Sequence, residues 1–272
     1  MKKTLLLLTF LAVAGMSSTS AQAATHYVSG FGGVSWMQNM DGSDTYQNDT
    51  AIGHNYTTNT DLGSGLAVTG AIGCDYGNYR LEGEVGYQTN DVKSRAFYNN
   101  GVAHLFPTTA SATPTTDRVA MKGDVSVLTL MANGYYDFDL GSKVELYATA
   151  GVGVAQVSWH NVTNVTDIKL GEEGSNNPNT FTPNNDPGFN AHETTLAWQV
   201  GAGIAAPISD HVKLDLRYRY FATTDFTLAD SGTIGSNGYP ASSDSGNGVR
   251  GTSSGNTNLS SHSVLLGLRV DF

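Results

Sequence analysis

Eight runs of roughly ten residues alternate between apolar and polar side chains, and polar stretches separate them. A period of two sends successive side chains to opposite faces, so each run reads as a half-buried β-strand. The runs cover about 27–37, 66–76, 79–89, 124–138, 144–159, 194–208, 212–221 and 261–272. In the second, Leu66, Val68, Gly70, Ile72, Cys74 and Tyr76 share a face. In the seventh, Val212, Leu214, Leu216, Tyr218 and Tyr220 stand opposite Lys213, Asp215, Arg217 and Arg219. No long segment carries a helical period.

The connections turn these strands into an architecture. Those after the second, fourth and sixth runs are short, at 77–78, 139–143 and 209–211. The others, at about 38–65, 90–123, 160–193 and 222–260, are long and rich in Asn, Ser, Thr, Gly and Asp. Strict alternation gathers the long loops at one end of an up-and-down meander and the tight turns at the other. The expected fold is therefore all-β: an eight-stranded antiparallel up-and-down transmembrane β-barrel with four long extracellular loops. A soluble secreted barrel would instead turn its apolar face inward. Two features favour the membrane. The polar faces are rich in Gly, Thr and other small residues, which suit a narrow lumen. The apolar faces end in aromatics at two heights: Tyr76, Tyr79, Tyr136, Phe138 and Phe272 near the turns, and Trp36, Tyr87, Tyr218 and Tyr220 towards the loops. Such belts mark the two lipid interfaces.

Lys2 and Lys3, the apolar stretch from Leu5 to Ala14 and the small-x-small site Ala21-Gln22-Ala23 predict a secretory signal peptide over 1–23, leaving 24–272 as the barrel. The formal charge is -10, and removing the two lysines makes it -12. That acidity excludes nucleic acid as a partner. The single cysteine, Cys74, allows no intramolecular disulfide. The mean hydropathy is -0.21. That value does not count against a barrel, because lumen-facing residues dilute the signal of every strand.

Charged side chains at the membrane level form the main chemical constellation. Arg80, Glu82 and Glu84 share a face of the third strand, and Asp215, Arg217 and Arg219 a face of the seventh. Asn133, Asp137, Glu145, Arg269 and Asp271 add to the same side. A Lys or Arg in mid-membrane costs roughly 2–4 kcal/mol on the lipid face, so these groups are expected to point inward. The favoured role is a salt-bridge network that fills the lumen, ahead of an ion path, because eight strands enclose no porin-sized channel. Glu82 and Glu84 lack a nearby nucleophile, so acid–base catalysis is not expected. In Ser261-His262-Ser263 the period of two points His262 to lipid and Ser263 to the lumen, poor geometry for a nucleophile and its base. The seven histidines show no metal-ligand spacing. No catalytic, cofactor or metal site is expected.

The last eight residues, Leu265-Leu266-Gly267-Leu268-Arg269-Val270-Asp271-Phe272, look like the signal read by the barrel-assembly machinery. Gly267, Val270 and Phe272 match its glycine and last apolar positions, and Leu265 departs from its usual polar one. Binding is expected by strand addition to the machinery's edge. Asn133-Gly134-Tyr135-Tyr136-Asp137-Phe138 resembles the fourth strand of opacity-type and surface-antigen barrels. Arg80-Leu81-Glu82-Gly83-Glu84 with Gly86-Tyr87 resembles their third, and Ala197-Trp198-Gln199 with Gly201-Ala202-Gly203 their sixth. Arg217-Tyr218-Arg219-Tyr220-Phe221 and 261–269 resemble the last two. The resemblance covers the strands and not the loops. It implies a protein of the Gram-negative cell outer membrane, embedded in outer-membrane lipid. Its loops would meet a host or environmental surface ligand, as in adhesins of the family. A narrow porin-like channel is the alternative, and a lipid-modifying enzyme a more distant one.

Overall fold

A computed structural model describes residues 24–48, 51–99, 116–141, 143–164, 168–170, 179–181, 189–229 and 254–272. The expected signal segment, 1–23, lies outside the described residues. The barrel is built from β1 (Thr25–Met37), β2 (Met40–Asn48), β3 (Ala51–Asp75), β4 (Tyr79–Asn99), β5 (Thr116–Phe138) and β6 (Glu145–Asn164). A small hairpin, β7 (Ile168–Leu170) with β8 (Asn179–Phe181), pairs only with itself. The barrel resumes with β9 (Phe189–Pro207), β10 (Val212–Thr223), β11 (Phe226–Ala229), β12 (Ser254–Thr257) and β13 (Ser260–Asp271).

Eight strands close the ring in the order β1-β13-β10-β9-β6-β5-β4-β3, and β3 returns to β1. All pairings are antiparallel. The register fixes the stagger. One hydrogen-bonded row runs from Met37 through Ser261, Phe221, Gln199, Gly151, Asn133, Glu82 and Gly73 to Tyr27. It leaves β1 at residue 37 and returns at 27, a shear of ten residues (37 − 27). With about 3.3 Å per residue and about 4.8 Å between strands, the strands tilt about 40° from the axis. Each residue then climbs about 2.5 Å along the axis. The outward apolar run from Leu66 to Tyr76 therefore stands about 25 Å tall, the height of a membrane band. At the turn end, Gly77 adopts φ 93° and its N–H donates to Asp75 at 2.8 Å, which suits the tight connection to β4.

The strands run further than the alternating runs predicted. β3, β4, β5 and β6 continue well into the stretches read as loops. Polarity reverses towards the loop end of β4, β5 and β6. On β6, Leu146, Ala148, Ala150 and Val152 face out and Tyr147, Thr149 and Gly151 face in. Beyond Val154 the pleat keeps its phase and the chemistry changes sides. Gln156, Ser158 and His160 now face out, while Ala155, Val157 and Trp159 are buried inside. On β5 the same switch sets Val125 and Val127 inside. On β4, Val92 lies inside while Thr89, Asp91 and Lys93 turn outward or stay partly exposed. The turn half is thus built as a membrane barrel and the loop half as a soluble one.

That reversal also corrects the expected lumen. Its loop half is not lined by small polar residues but filled by an apolar cluster. Met37, Met40, Leu62, Val127, Met131, Trp159, Phe221, Phe226 and Leu259 belong to it. At the level of this cluster three neighbouring strands break. Residues 38–39 separate β1 from β2, 224–225 separate β10 from β11, and 258–259 separate β12 from β13. Strands β3 to β6 and β9 pass the same level without a gap.

Candidate functional site

Below the apolar cluster, the lumen holds an ionic layer. All eleven residues of the expected network have their Cβ on inward positions. Arg80 makes a bidentate pair with Asp137, with Nε and Nη2 each 2.7 Å from a carboxylate oxygen. Arg217 donates to Glu84 at 3.0 Å, and Arg219 lies 3.6 Å from the same carboxylate. Glu84 and Arg217 are almost completely buried. Arg269 and Lys213 both pair with Glu145, and Lys213 reaches Asp271 at 3.5 Å. Five cations thus face six carboxylates, which leaves the layer close to neutral.

Hydrogen bonds reach Glu82 and Asp215, which the short ion pairs do not. Glu82 accepts from the hydroxyls of Tyr27 at 3.1 Å, Ser29 at 3.3 Å and Tyr135 at 2.5 Å, and from Asn133 Nδ2 at 3.3 Å. Gln199 Nε2 donates to Asn133 Oδ1 at 2.7 Å and to Glu84 at 3.2 Å. Tyr147 donates to Asp215 at 2.6 Å. Guanidinium groups also lie on rings. That of Arg217 is 4.0 Å from the centre of Phe31, and that of Arg80 is 4.4 Å from the centre of Tyr135. Burial strengthens such contacts because water does not compete.

Tyr27, Tyr135, Phe31, Gln199 and Lys213 were absent from the expected network. Parity could have found them. Tyr135 lies midway between Asn133 and Asp137 in steps of two, and Lys213 shares its face with Asp215. An aromatic residue scores as lipid-facing in an alternating run, and that hid the role of Tyr27, Phe31 and Tyr135.

Inward glycines make room for these rings. A Cβ at Gly73 would land on the Tyr27 ring, one at Gly203 on the Tyr147 ring, and one at Gly267 on the Phe31 ring and the Gly30 carbonyl. Gly267 therefore has a packing role besides the one expected from the assembly signal. The other two residues of that signal face lipid: Val270 and Phe272 are both exposed. The Phe272 N–H donates to the His26 carbonyl at 2.8 Å, so the end of the last strand closes on β1. Gly267→Ala is expected to destabilise the finished barrel by about 1–3 kcal/mol, the usual cost of overpacking. Urea unfolding after refolding into lipid vesicles, with no assembly machinery present, measures that term alone. An unchanged midpoint would remove the packing role.

Among the described residues, no group of three or more His, Cys, Asp or Glu is placed to hold a metal ion. Ser263 is fully buried in the lumen, whereas His262 points outward from the same strand.

A closed ring, an apolar belt facing out and a filled lumen define a small outer-membrane β-barrel. The profile of the family described as surface antigen matches residues 8–242, and the chain belongs to that family. It resides in the outer membrane. Outer membrane protein PagN of Salmonella typhimurium is 30% identical over 102 residues, a match spanning 38% of this chain and 36% of PagN. Among solved structures, OprG of Pseudomonas aeruginosa aligns over 93% of this chain and 98% of its own, with a TM-score of 0.48 and 11% identity. Neisserial surface protein A aligns over 91% and 97%, with a TM-score of 0.41 and 15% identity.

Proposed function

We propose that this outer-membrane barrel is a non-catalytic, adhesin-like surface antigen whose four loops contact a host or environmental ligand. The observation that carries this reading is the filled lumen. Its apolar cluster and ionic layer occupy the inside of the barrel, so the working surface lies at the loop end. A filled lumen weighs against a narrow porin-like channel. The opposed directions of Ser263 and His262 weigh against a lipid-modifying enzyme. In this account segment 1–23 directs export. Gly267, Val270 and Phe272 then present the last strand to the barrel-assembly machinery, and outer-membrane lipid surrounds the finished barrel.

The loops favour a partner of definite charge. Over 38–65, 90–123, 160–193 and 222–260 there are 14 Asp and Glu against 6 Lys and Arg, a net charge of -8. The first of these stretches holds four Asp and no Lys or Arg. Such a surface suits a cationic patch on the partner, with attachment weakening as salt screens it. Deleting each long loop in turn and counting bound host cells tests the reading. At least one deletion is expected to abolish attachment while heat-modifiable gel mobility stays normal. Attachment equal to wild type in all four deletions would end the adhesive role, and steady single-channel currents in planar bilayers would favour the pore instead.

A further inference from the structure

The lipid-facing surface is uneven at its loop end. Among the described residues, aromatics there are Trp36, Trp198, Tyr218, Tyr220 and Tyr87. The first four lie on β1, β9 and β10, which with β13 form one contiguous half of the wall. His262 of β13 sits between them. Its ring centre is 5.0 Å from that of Tyr220 and 6.0 Å from that of Tyr218, and Trp198 lies 5.5 Å from Tyr220.

A hydrogen-bonded chain holds two of these rings, His262 and Tyr218, in place. The Ser260 hydroxyl donates to Gln38 Oε1 at 2.8 Å. Gln38 Nε2 lies 2.9 Å from His262 Nε2, and the Tyr218 hydroxyl lies 2.6 Å from His262 Nδ1. An amide nitrogen only donates, so His262 Nε2 accepts and its ring proton sits on Nδ1, where it donates to the Tyr218 oxygen. The Tyr218 O–H and the second N–H of Gln38 then remain to serve a ligand. Immediately above, the three strand breaks expose Gln38, Asn39, Thr224 and Asn258 as a polar shelf.

An aromatic floor beneath amide and hydroxyl groups is the chemistry that holds a sugar: its C–H faces lie on the rings and its hydroxyls take the hydrogen bonds. The patch faces lipid at the upper edge of the apolar band, so the sugar that reaches it is carried by a membrane lipid. We propose that this patch binds the saccharide headgroup of a glycolipid in the outer leaflet. Its acyl chains would run down the wall past Val200 and Val264, both exposed on the same strands. A plain interfacial belt would anchor the barrel through any aromatic at this height. The proposal differs because it confines binding to one side.

The test is native mass spectrometry of the folded barrel offered equal amounts of a lipid with a diglucosamine headgroup and of phosphatidylglycerol. Wild type is expected to retain one glycolipid in preference to phosphatidylglycerol. The double variant Trp198→Leu/Tyr220→Leu keeps the surface apolar and is expected to hold it about tenfold less. Tyr87→Leu removes an aromatic from the other side and is expected to leave retention unchanged. Heat-modifiable mobility verifies that each variant is folded. Equal retention of the two lipids, equal retention by wild type and the double variant, or a matching loss in Tyr87→Leu would overturn the proposal. So would a wild-type dimer that the double variant dissociates, since the patch would then be a contact between copies.

Discussion

Arg217→Met is expected to cost the folded barrel about 3–5 kcal/mol, the penalty for stranding one member of a buried ion pair. Glu84 is fully buried, and Arg217 is its nearest cation at 3.0 Å. After the substitution the carboxylate keeps only Gln199 and the longer contact to Arg219. The combination Glu84→Gln with Arg217→Met removes the stranded charge and is expected to recover at least half of the loss. Urea titration of barrels folded in lipid vesicles measures both. A single-variant cost below about 1 kcal/mol would mean that the ionic layer only occupies space and does not hold the strands together.

The polarity reversal predicts a contrast between two arginines on the outer wall. Val200→Arg places a guanidinium on the apolar band and is expected to cost about 2–4 kcal/mol, with little folded protein reaching the membrane. Val200 is 43% exposed, so the cost comes from lipid contact and not from crowding in the lumen. Gln156→Arg has the same outward parity but lies beyond the switch on β6, and is expected to cost about 0–1 kcal/mol. Heat-modifiable mobility in membrane fractions reports both. If the two variants failed alike, the apolar band would extend higher than Val154.

The turn half of the barrel was legible because one rule governs it. Apolar residues face lipid and polar ones face the lumen, so Leu214, Leu216 and Tyr218 declare their side against Asp215 and Arg217 without any structure. The loop half obeys the opposite rule. On β5 the apolar face is lost where Leu128 gives way to Ser126, and the run legible in the sequence stops at 124, short of the strand's start at Thr116. The ladder continues, because backbone hydrogen bonds do not depend on which side is apolar. Val125 and Val127 simply take the inward places, and the soluble-barrel pattern set aside for the whole chain describes this half of it.

Within the ionic layer, charge and parity were enough to gather the eleven network residues on inward positions. Pairing was not legible. Arg80 and Asp137 lie 57 residues apart, and Arg217 and Glu84 133 apart; only the register decides that they meet. The part played by tyrosine was also hidden. Tyr135 and Tyr136 are neighbours of one type, yet the first is buried against Glu82 and the second stands at the lipid interface. The saccharide patch depends on three strand breaks at one level, which no single run of sequence displays.

The length of β3 and β4 beyond the apolar band sets the reach of the protein. Their pairing continues from Leu66 and Thr89 up to Tyr56 and Asn99, ten further residues on each strand. At about 2.5 Å of height per residue, this paired ladder rises about 25 Å above the hydrocarbon. The headgroup layer on one side of a bilayer is only about 5–8 Å deep. The extended pair of strands therefore acts as a mast. It displays what it carries clear of the lipid surface, within range of a partner too large to approach the membrane itself.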